Sequence, residues 1–363
     1  MFRILSLILL SATFLQVLYI GLFDFISPYD NKSVVITSLE SLFSIFVLLL
    51  SFGFLYFFSS KYEGFEFIKN SKPAEEKVYL NLILLLVSTS SLFCFYYSPT
   101  LDNAMILNGS QQVQYIGLLF KFGTTFVPAL TLAAYTLYPK EFKTLLIVII
   151  GLFTSSYLSG VFLTKQPLFP FVLFVLAIFN RQGKRQKAII IACIVFLFSV
   201  VFFVYQTRDA EVTFEKIVYN ILFRFVTFLE TFHIVHYIYD FGPFYDFNYS
   251  STNSRVTEDV FNRNSNNIGI APGYIGYFLV SYGFFGILGM LVFAIVVVII
   301  CRLLASQNVF ERVLYFIVVC EFIPFFNDGV PSFYYSTSNA ALFYLMLFSL
   351  FFVLYVRFLR KRF

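Results

Sequence analysis

Long apolar runs separated by short polar segments dominate the chain. A helix needs about 20 predominantly apolar residues to cross the hydrocarbon core of a bilayer. By that rule the pattern predicts about ten transmembrane helices, at 4–23, 34–58, 78–97, 115–138, 144–163, 166–179, 188–205, 274–303, 309–326 and 337–356. The expected fold class is therefore an all-α polytopic membrane protein.

One polar stretch, 206–273, is far longer than the other connections. It separates residues 1–205, with seven predicted spans, from residues 274–363, with three spans and a basic tail. Connections of this length in compact proteins are usually functional, and a passive linker is the alternative. Within it, 216–241 is apolar and helix-like. We expect an interfacial or re-entrant helix there, because one more crossing would move the basic tail to the opposite side.

Composition and charge agree with a membrane protein. Only 12% of the residues are charged and 59% are hydrophobic, whereas a soluble domain carries about 25% charged residues. Positive residues mark cytoplasmic loops, and most of the 25 lysines and arginines fall in alternate connections and in the C-terminal tail. We therefore expect both termini in the cytoplasm, the 206–273 loop on the outer face, membrane lipids as partners and no nucleic acid.

Polar residues in the 216–241 segment recur every three or four positions, which places them on one stripe of a helix. The stripe comprises Asn220, Arg224, Thr227, Glu230, His233 and His236. Such a stripe can face water without further consequence, or it can line a cavity.

Ionisable residues also interrupt three predicted spans, where charge is costly and usually marks function. Glu40, Lys121 and Glu321 each fall about five or six residues from the predicted outer end of their span, roughly 8–9 Å below the outer surface. Lys165 lies in the turn between the fifth and sixth spans on the same side. One reading is a Lys–Glu pair that only holds helices together. The collective reading is a polar cavity open to the outer leaflet, suited to a substrate with a lipid tail and a charged or sugar head.

Residues 271–289 read APGYIGYFLVSYGFFGILG and lead into an apolar run. This segment resembles the signature of bacterial O-antigen and capsule repeat-unit polymerases of the Wzy type, which follow a large periplasmic loop with a Pro-Gly-Tyr-Ile-Gly-like run and an aromatic-Gly-x-x-Gly step. The matching positions are Pro272, Gly273, Gly276, Gly283 and Gly286. Upstream, the FRFVTFLETF segment with Arg224 and Glu230 is similar to an Arg-plus-acid helix in the same loop.

The resemblance implies a glycosyltransferase that joins undecaprenyl-diphosphate-linked oligosaccharide repeat units into O-antigen or capsular polysaccharide. The implied place is the outer leaflet of the bacterial inner (cytoplasmic) membrane, with a chain-length regulator as partner. The two histidines have no third ligand at useful spacing, so we expect transfer without a metal or cofactor. A hydroxyl of one unit attacks the anomeric carbon of the growing chain, so the site needs a base and cations for the departing diphosphate. The base candidates are Glu230, His233 and His236, with Glu230 first because of the Arg-plus-acid resemblance. The cation candidates are Arg208, Arg224, Arg255, Arg263, Lys121 and Lys165, and the residues expected to line the cavity are Glu40 and Glu321.

Two other functions stay open from the sequence. O-antigen ligases of the same superfamily carry a histidine at the end of the loop, and by spacing from Gly283 that position falls at or near Pro272, which favours a polymerase. A flippase for the same lipid-linked oligosaccharides needs polar residues in both membrane halves and internal repeats, and the sequence shows neither pattern.

Overall fold

The computed structural model describes most of the chain as helices. The residues it describes are 1–23, 25, 27, 33–62, 77–97, 119, 121–139, 141–161, 167–179, 227–245, 255–262, 273–304, 308–328, 351 and 355. Its ten α-helices within those residues are α1 Phe2–Leu22, α2 Leu39–Tyr62, α3 Lys77–Tyr97, α4 Val127–Leu137, α5 Phe142–Val161, α6 Phe169–Phe179, α7 Phe228–Phe241, α8 Gly273–Tyr282, α9 Gly286–Leu304 and α10 Val309–Asp328.

These helices confirm the all-α class of the described residues. Five stretches are long and apolar enough to cross a membrane: Phe2–Leu22, Leu39–Ser59, Val78–Tyr97, Phe142–Gly160 and Gly273–Leu304. The predicted span at 188–205 lies outside the described residues, as does most of the span at 337–356. The count of ten spans and the outer location of the long loop therefore stay predictions.

The chain divides into two compact units: Met1–Glu63, Glu211–Ile300 and Phe322–Pro331 form unit 1, and the remaining segments form unit 2. In unit 1, α1 and α2 form an antiparallel hairpin, since Arg3 at the start of α1 donates a hydrogen bond to the Tyr56 hydroxyl near the end of α2 at 2.9 Å. The guanidinium of Arg3 also lies 5.1 Å from the Tyr56 ring centre. The division of the chain at 205 and 273 stays a prediction.

The predicted eighth span, 274–303, is not one straight helix. The chain folds back at Gly283, whose φ is +60°, so that the ring centres of Phe278 in α8 and Phe293 in α9 lie 6.0 Å apart. In a straight helix these two positions would be roughly 22 Å apart. At Gly286 a Cβ atom would collide with the Phe278 carbonyl, so the hairpin needs both glycines. With 19 residues, α9 alone is roughly 28 Å long and can still cross the hydrocarbon core.

Helix α7, from the middle of the predicted loop, packs against α2 and α8 and also touches α1. After α7, the backbone N–H groups of Phe244 and Tyr245 donate to the carbonyls of Val280 at 2.8 Å and Ser281 at 3.1 Å. These carbonyls belong to the last turn of α8, where a helix end leaves acceptors without intrahelical donors. The end of α7 is thereby fastened to the α8–α9 hairpin.

In unit 2, helices α3, α4 and α5 alternate in direction, as the span order predicts. Lys143 donates to Asn81 near the start of α5 and α3, and Thr154 donates to Ser91 at 2.8 Å further along both helices. A π-helical turn, Phe122–Phe126, precedes α4. Pro128 follows directly in the first turn of α4, and because proline lacks an N–H it cannot complete the regular hydrogen-bond ladder at this point.

The second predicted span begins later than expected, whereas the depth of Glu40 in the membrane stays a prediction. Helix α2 begins at Leu39, because Ser38 caps it by accepting a hydrogen bond from the Ser41 N–H at 3.2 Å. Glu40 therefore stands half-buried in the first helical turn, where the helix dipole favours a carboxylate.

Candidate active site

The N-terminus of α7 is closed by polar groups inside unit 1. Oε1 of Gln16, a fully buried residue of α1, accepts a hydrogen bond from the Phe228 N–H at 3.0 Å. The Glu230 carboxylate, also buried, accepts one from the Thr227 N–H at 3.3 Å. Thr227 and Glu230 thus occupy the N-cap and N3 positions of α7, and the Glu230 carboxylate supplies its half of a capping box. Together with Gln16 it satisfies donors that a buried helix start would otherwise leave unpaired.

His233 lies one turn further along the same buried face. Its Nε2 is 2.8 Å from the Ser27 hydroxyl, and both residues are buried. The ring also packs edge-on against Phe261, with the ring centres 5.9 Å apart. His233 therefore ties α7 to the segment that follows α1, and its surroundings are those of a packed interior.

His236 differs from the other two base candidates because it lies on the surface of unit 1. Its side chain is 41% exposed, and Nε2 lies 3.7 Å from Oδ2 of Asp240, which is 45% exposed. The Phe232 ring stacks nearly parallel to the imidazole at 6.3 Å. At 3.7 Å this is an ion-pair contact and is longer than a hydrogen bond, but an exposed histidine beside a carboxylate is a candidate general base.

Arg255 comes to the same end of α7 from a short π-helical turn, Val256–Val260. Its guanidinium lies 4.0 Å from the centre of the Phe244 ring, and its Nε is 3.7 Å from Oδ2 of Asp259. Burial raises the pKa of the Tyr237 phenol. The nearby Asp259 carboxylate raises this pKa as well, whereas the Arg255 guanidinium lowers it. Arg255 is thus already balanced by a carboxylate, which makes it a weaker site for a diphosphate than a lone cation.

In unit 2, Lys121 is not the unpaired cation that a diphosphate site needs. Its ammonium pairs with both oxygens of the Glu321 carboxylate, and the two side chains are only 2% and 8% exposed. The Thr125 hydroxyl donates to Glu321 Oε1 at 2.8 Å. The structure supports the first of the two readings that the sequence left open, a Lys–Glu pair that holds helices together, and the role of either residue in a cavity stays a prediction.

The remaining predicted positions divide into two groups. Gly273 and Gly276 are buried in α8, and Gly283 and Gly286 form the turn of the hairpin. The structure does not describe Pro272, Arg208, Arg224, Arg263 or Lys165, so their roles stay predictions. Sequence reasoning missed three residues of the site: Gln16, Ser27 and Asp240. Only Asp240 carried a usable signal, since it stands four residues after His236 and shares its helical face.

The described helices fit a membrane-embedded protein. Comparisons of the chain with family models, with curated proteins and with solved structures find no match.

Proposed function

We propose that this chain is a polysaccharide polymerase. In this proposal it is a glycosyltransferase that transfers a growing glycan from undecaprenyl diphosphate to the next lipid-linked repeat unit, at the outer leaflet of the bacterial inner membrane. The observation that carries the proposal is the His236–Asp240 pair, an exposed acid–base group on a helix held among apolar helices. The resemblance of residues 271–289 to repeat-unit polymerases supplies the reaction class.

In the proposed reaction, a hydroxyl of the incoming repeat unit attacks the anomeric carbon of the growing chain. The O–H bond breaks as its proton passes to His236, a new C–O bond forms, and the bond from the anomeric carbon to the diphosphate oxygen breaks. Undecaprenyl diphosphate leaves with the bonding electron pair. Because Nε2 faces Asp240, Nδ1 is the nitrogen that takes the proton, and the carboxylate stabilises the resulting imidazolium.

Glu230 and His233 have a different role in this proposal. Both are buried and both contact groups that hold α7 in place, the Thr227 N–H and the Ser27 hydroxyl. They act as positioning residues that fix the direction in which α7 presents His236. The negative charge of the departing diphosphate is stabilised well by arginine, because a guanidinium forms bidentate hydrogen bonds with phosphate oxygens. Arg208, Arg224 and Arg263 are the proposed sources, since Lys121 is paired with Glu321.

Deletion of the gene and complementation with variants test the proposal. If the chain is the polymerase, the deletion strain makes lipopolysaccharide with one repeat unit, and the wild-type gene restores long chains. His236→Ala lowers chain growth by about 100-fold or more, the range measured for general bases. Asp240→Asn has a smaller effect, and Tyr239→Ala, on the same helix and 67% exposed, is the control that keeps long chains.

The outcomes separate the proposed function from its rivals. Loss of every repeat unit in the deletion strain indicates a flippase or a ligase and overturns the proposal. If His236→Ala still makes long chains at the wild-type protein level in the membrane, His236 is not part of the mechanism. The polymerase assignment then depends on the deletion result alone.

A further inference from the structure

A compact group of aromatic and charged side chains lies at the C-terminal end of α7. We call it the aromatic platform, and it consists of Tyr237, Phe241, Phe244, Arg255 and Asp259. The Tyr237 ring centre is 5.0 Å from that of Phe241 and 5.5 Å from that of Phe244. Arg255 covers Phe244 and pairs with Asp259. The last turn of α7, the residues directly after it and the π-helical turn Val256–Val260 thereby form one surface of unit 1.

The platform is exposed on the surface of unit 1. Phe241 is 75% exposed, and the side chains of Arg255 and Asp259 are 44% and 43% exposed. The Nε of Arg255 lies 3.7 Å from Oδ2 of Asp259, which is longer than a hydrogen bond. Both exposed side chains can therefore still form hydrogen bonds with a ligand beside the aromatic rings.

The mixture of groups decides which kind of ligand fits. Aromatic faces attract the C–H faces of a pyranose ring, and an arginine–carboxylate pair offers donors and acceptors side by side to neighbouring hydroxyls. A bilayer is a poor alternative, because exposed Asp240 and Asp259 are costly near anionic headgroups and in hydrocarbon. A diphosphate is also disfavoured, because Asp259 balances the charge of Arg255.

The platform is next to the proposed base. His236 and Tyr237 are consecutive, so their side chains leave α7 about 100° apart. Asp240 and Phe241 repeat the same relation one turn later. The His236–Asp240 stripe and the Tyr237–Phe241 stripe therefore run side by side along the helix, and a sugar on the second stripe presents its edge to the first.

We propose that the aromatic platform is a saccharide-binding subsite that holds the sugar carrying the attacking hydroxyl. A pyranose ring stacks on Phe241 and Tyr237, and its hydroxyls bond to Arg255 and Asp259. The choice of a saccharide rests on the proposed function, whereas the location of the subsite rests on the geometry of the platform.

The absence of tryptophan from the sequence allows a direct test. Phe241→Trp places one indole on the platform, and Phe285→Trp, at a position that is 89% exposed on the α8–α9 turn, is the matched control. Each purified variant is placed in lipid nanodiscs and titrated with the core–repeat oligosaccharide released by mild acid from lipopolysaccharide of the deletion strain. We expect a saturable change in the indole emission of Phe241→Trp, without quenching by brominated lipids, and no saturable change for Phe285→Trp.

Calorimetry on the wild-type chain provides a second measurement that does not depend on the introduced indole. Phe241→Ala and Arg255→Ala should each weaken binding of the same oligosaccharide by about 10-fold or more, the loss expected when a stacked ring or a charged hydrogen bond is removed. Tyr239→Ala should bind like the wild type.

Three results overturn the subsite. The first is a lack of saturable response from Phe241→Trp together with a lack of calorimetric binding. The second is quenching of the platform indole by brominated lipid, and the third is unchanged affinity in Phe241→Ala and Arg255→Ala. The proposed function fails separately, by loss of every repeat unit in the deletion strain. If the deletion strain behaves as a polymerase mutant but the emission of Phe241→Trp does not change with the oligosaccharide, the subsite alone is refuted.

Discussion

The buried pair of Lys121 and Glu321 gives the sharpest test of the packing in unit 2. Lys121→Met removes the ammonium but keeps an unbranched side chain of similar length. It leaves the Glu321 carboxylate, only 8% exposed, without its cation, although the Thr125 hydroxyl can still donate to it. Glu321→Leu makes the reverse change, and the double variant removes both charges while filling the space with apolar atoms.

The expected magnitudes follow from desolvation. Unit charges about 3 Å apart attract by about 5 kcal/mol at an effective dielectric constant of about 20. Each charge also loses several kcal/mol of hydration on burial. Removal of one partner forfeits the attraction and keeps the cost, so each single variant should lose about 3–5 kcal/mol of stability. The double variant should be close to the wild type, because a buried ion pair and an apolar replacement are nearly equal in free energy.

Thermal unfolding of the detergent-solubilised protein is the assay. A change of 1 kcal/mol shifts the midpoint of a large domain by about 2 °C, so the single variants should unfold roughly 6–10 °C lower and the double variant within a few degrees of the wild type. Thr125→Val in the double-variant background is the control for the hydroxyl that loses its carboxylate acceptor, and it should restore about 1 kcal/mol.

Two results would refute this reasoning. Single variants with wild-type midpoints would show that the pair is hydrated and contributes little. A double variant as unstable as the single ones would show that the charges make essential contacts beyond each other. A stable double variant that makes no long glycan chains would leave the energetics intact and place the pair in the reaction.

Two further predictions concern unit 1. Gly286→Ala puts a methyl group against the Phe278 carbonyl and should cost about 1–3 kcal/mol, whereas Gly53→Ala, where nothing lies within 4 Å, should be neutral or stabilising in thermal unfolding. Glu230→Gln keeps an oxygen that accepts a hydrogen bond from the Thr227 N–H, as glutamine does in a capping box. Chain length on a lipopolysaccharide gel should therefore stay close to that of the wild type. Loss of polymerisation at a normal protein level would instead make Glu230 a catalytic residue.

The apolar runs predict the existence of most helices, but they do not predict several of the helix ends. A hydropathy window sees 274–303 as one span because both arms of the α8–α9 hairpin are apolar. The reversal depends on a single backbone angle at Gly283 and on the missing Cβ of Gly286. The predicted start of α2 is about five residues too early because Val34, Val35 and Ile36 extend the apolar pattern, while the Ser38 cap decides where the helix begins.

The polar stripe on α7 is visible as a periodicity, but its division into a buried and an exposed part is not. Gln16 and Ser27 decide that division, and both come from a segment distant from α7 along the chain. Similarly, the depths of Lys121 and Glu321 follow from counting residues, whereas their pairing depends on how α10 meets the turn before α4. Tertiary contacts of this kind leave no trace in local sequence patterns.

The two ends of α7 use their polar residues for different purposes, and this difference decides where chemistry belongs. A helix start packed among apolar helices must have its N–H groups satisfied by protein, since no water is there to do so. Gln16 and Glu230 carry out that task, and His233 is occupied by Ser27. At the other end, the polar side chains stand on the surface of unit 1: those of His236 and Asp240 are 41% and 45% exposed, and Phe241 of the aromatic platform is 75% exposed. The buried end of α7 therefore uses its polar groups to hold the helix in place, whereas the exposed end presents side chains that a substrate can reach.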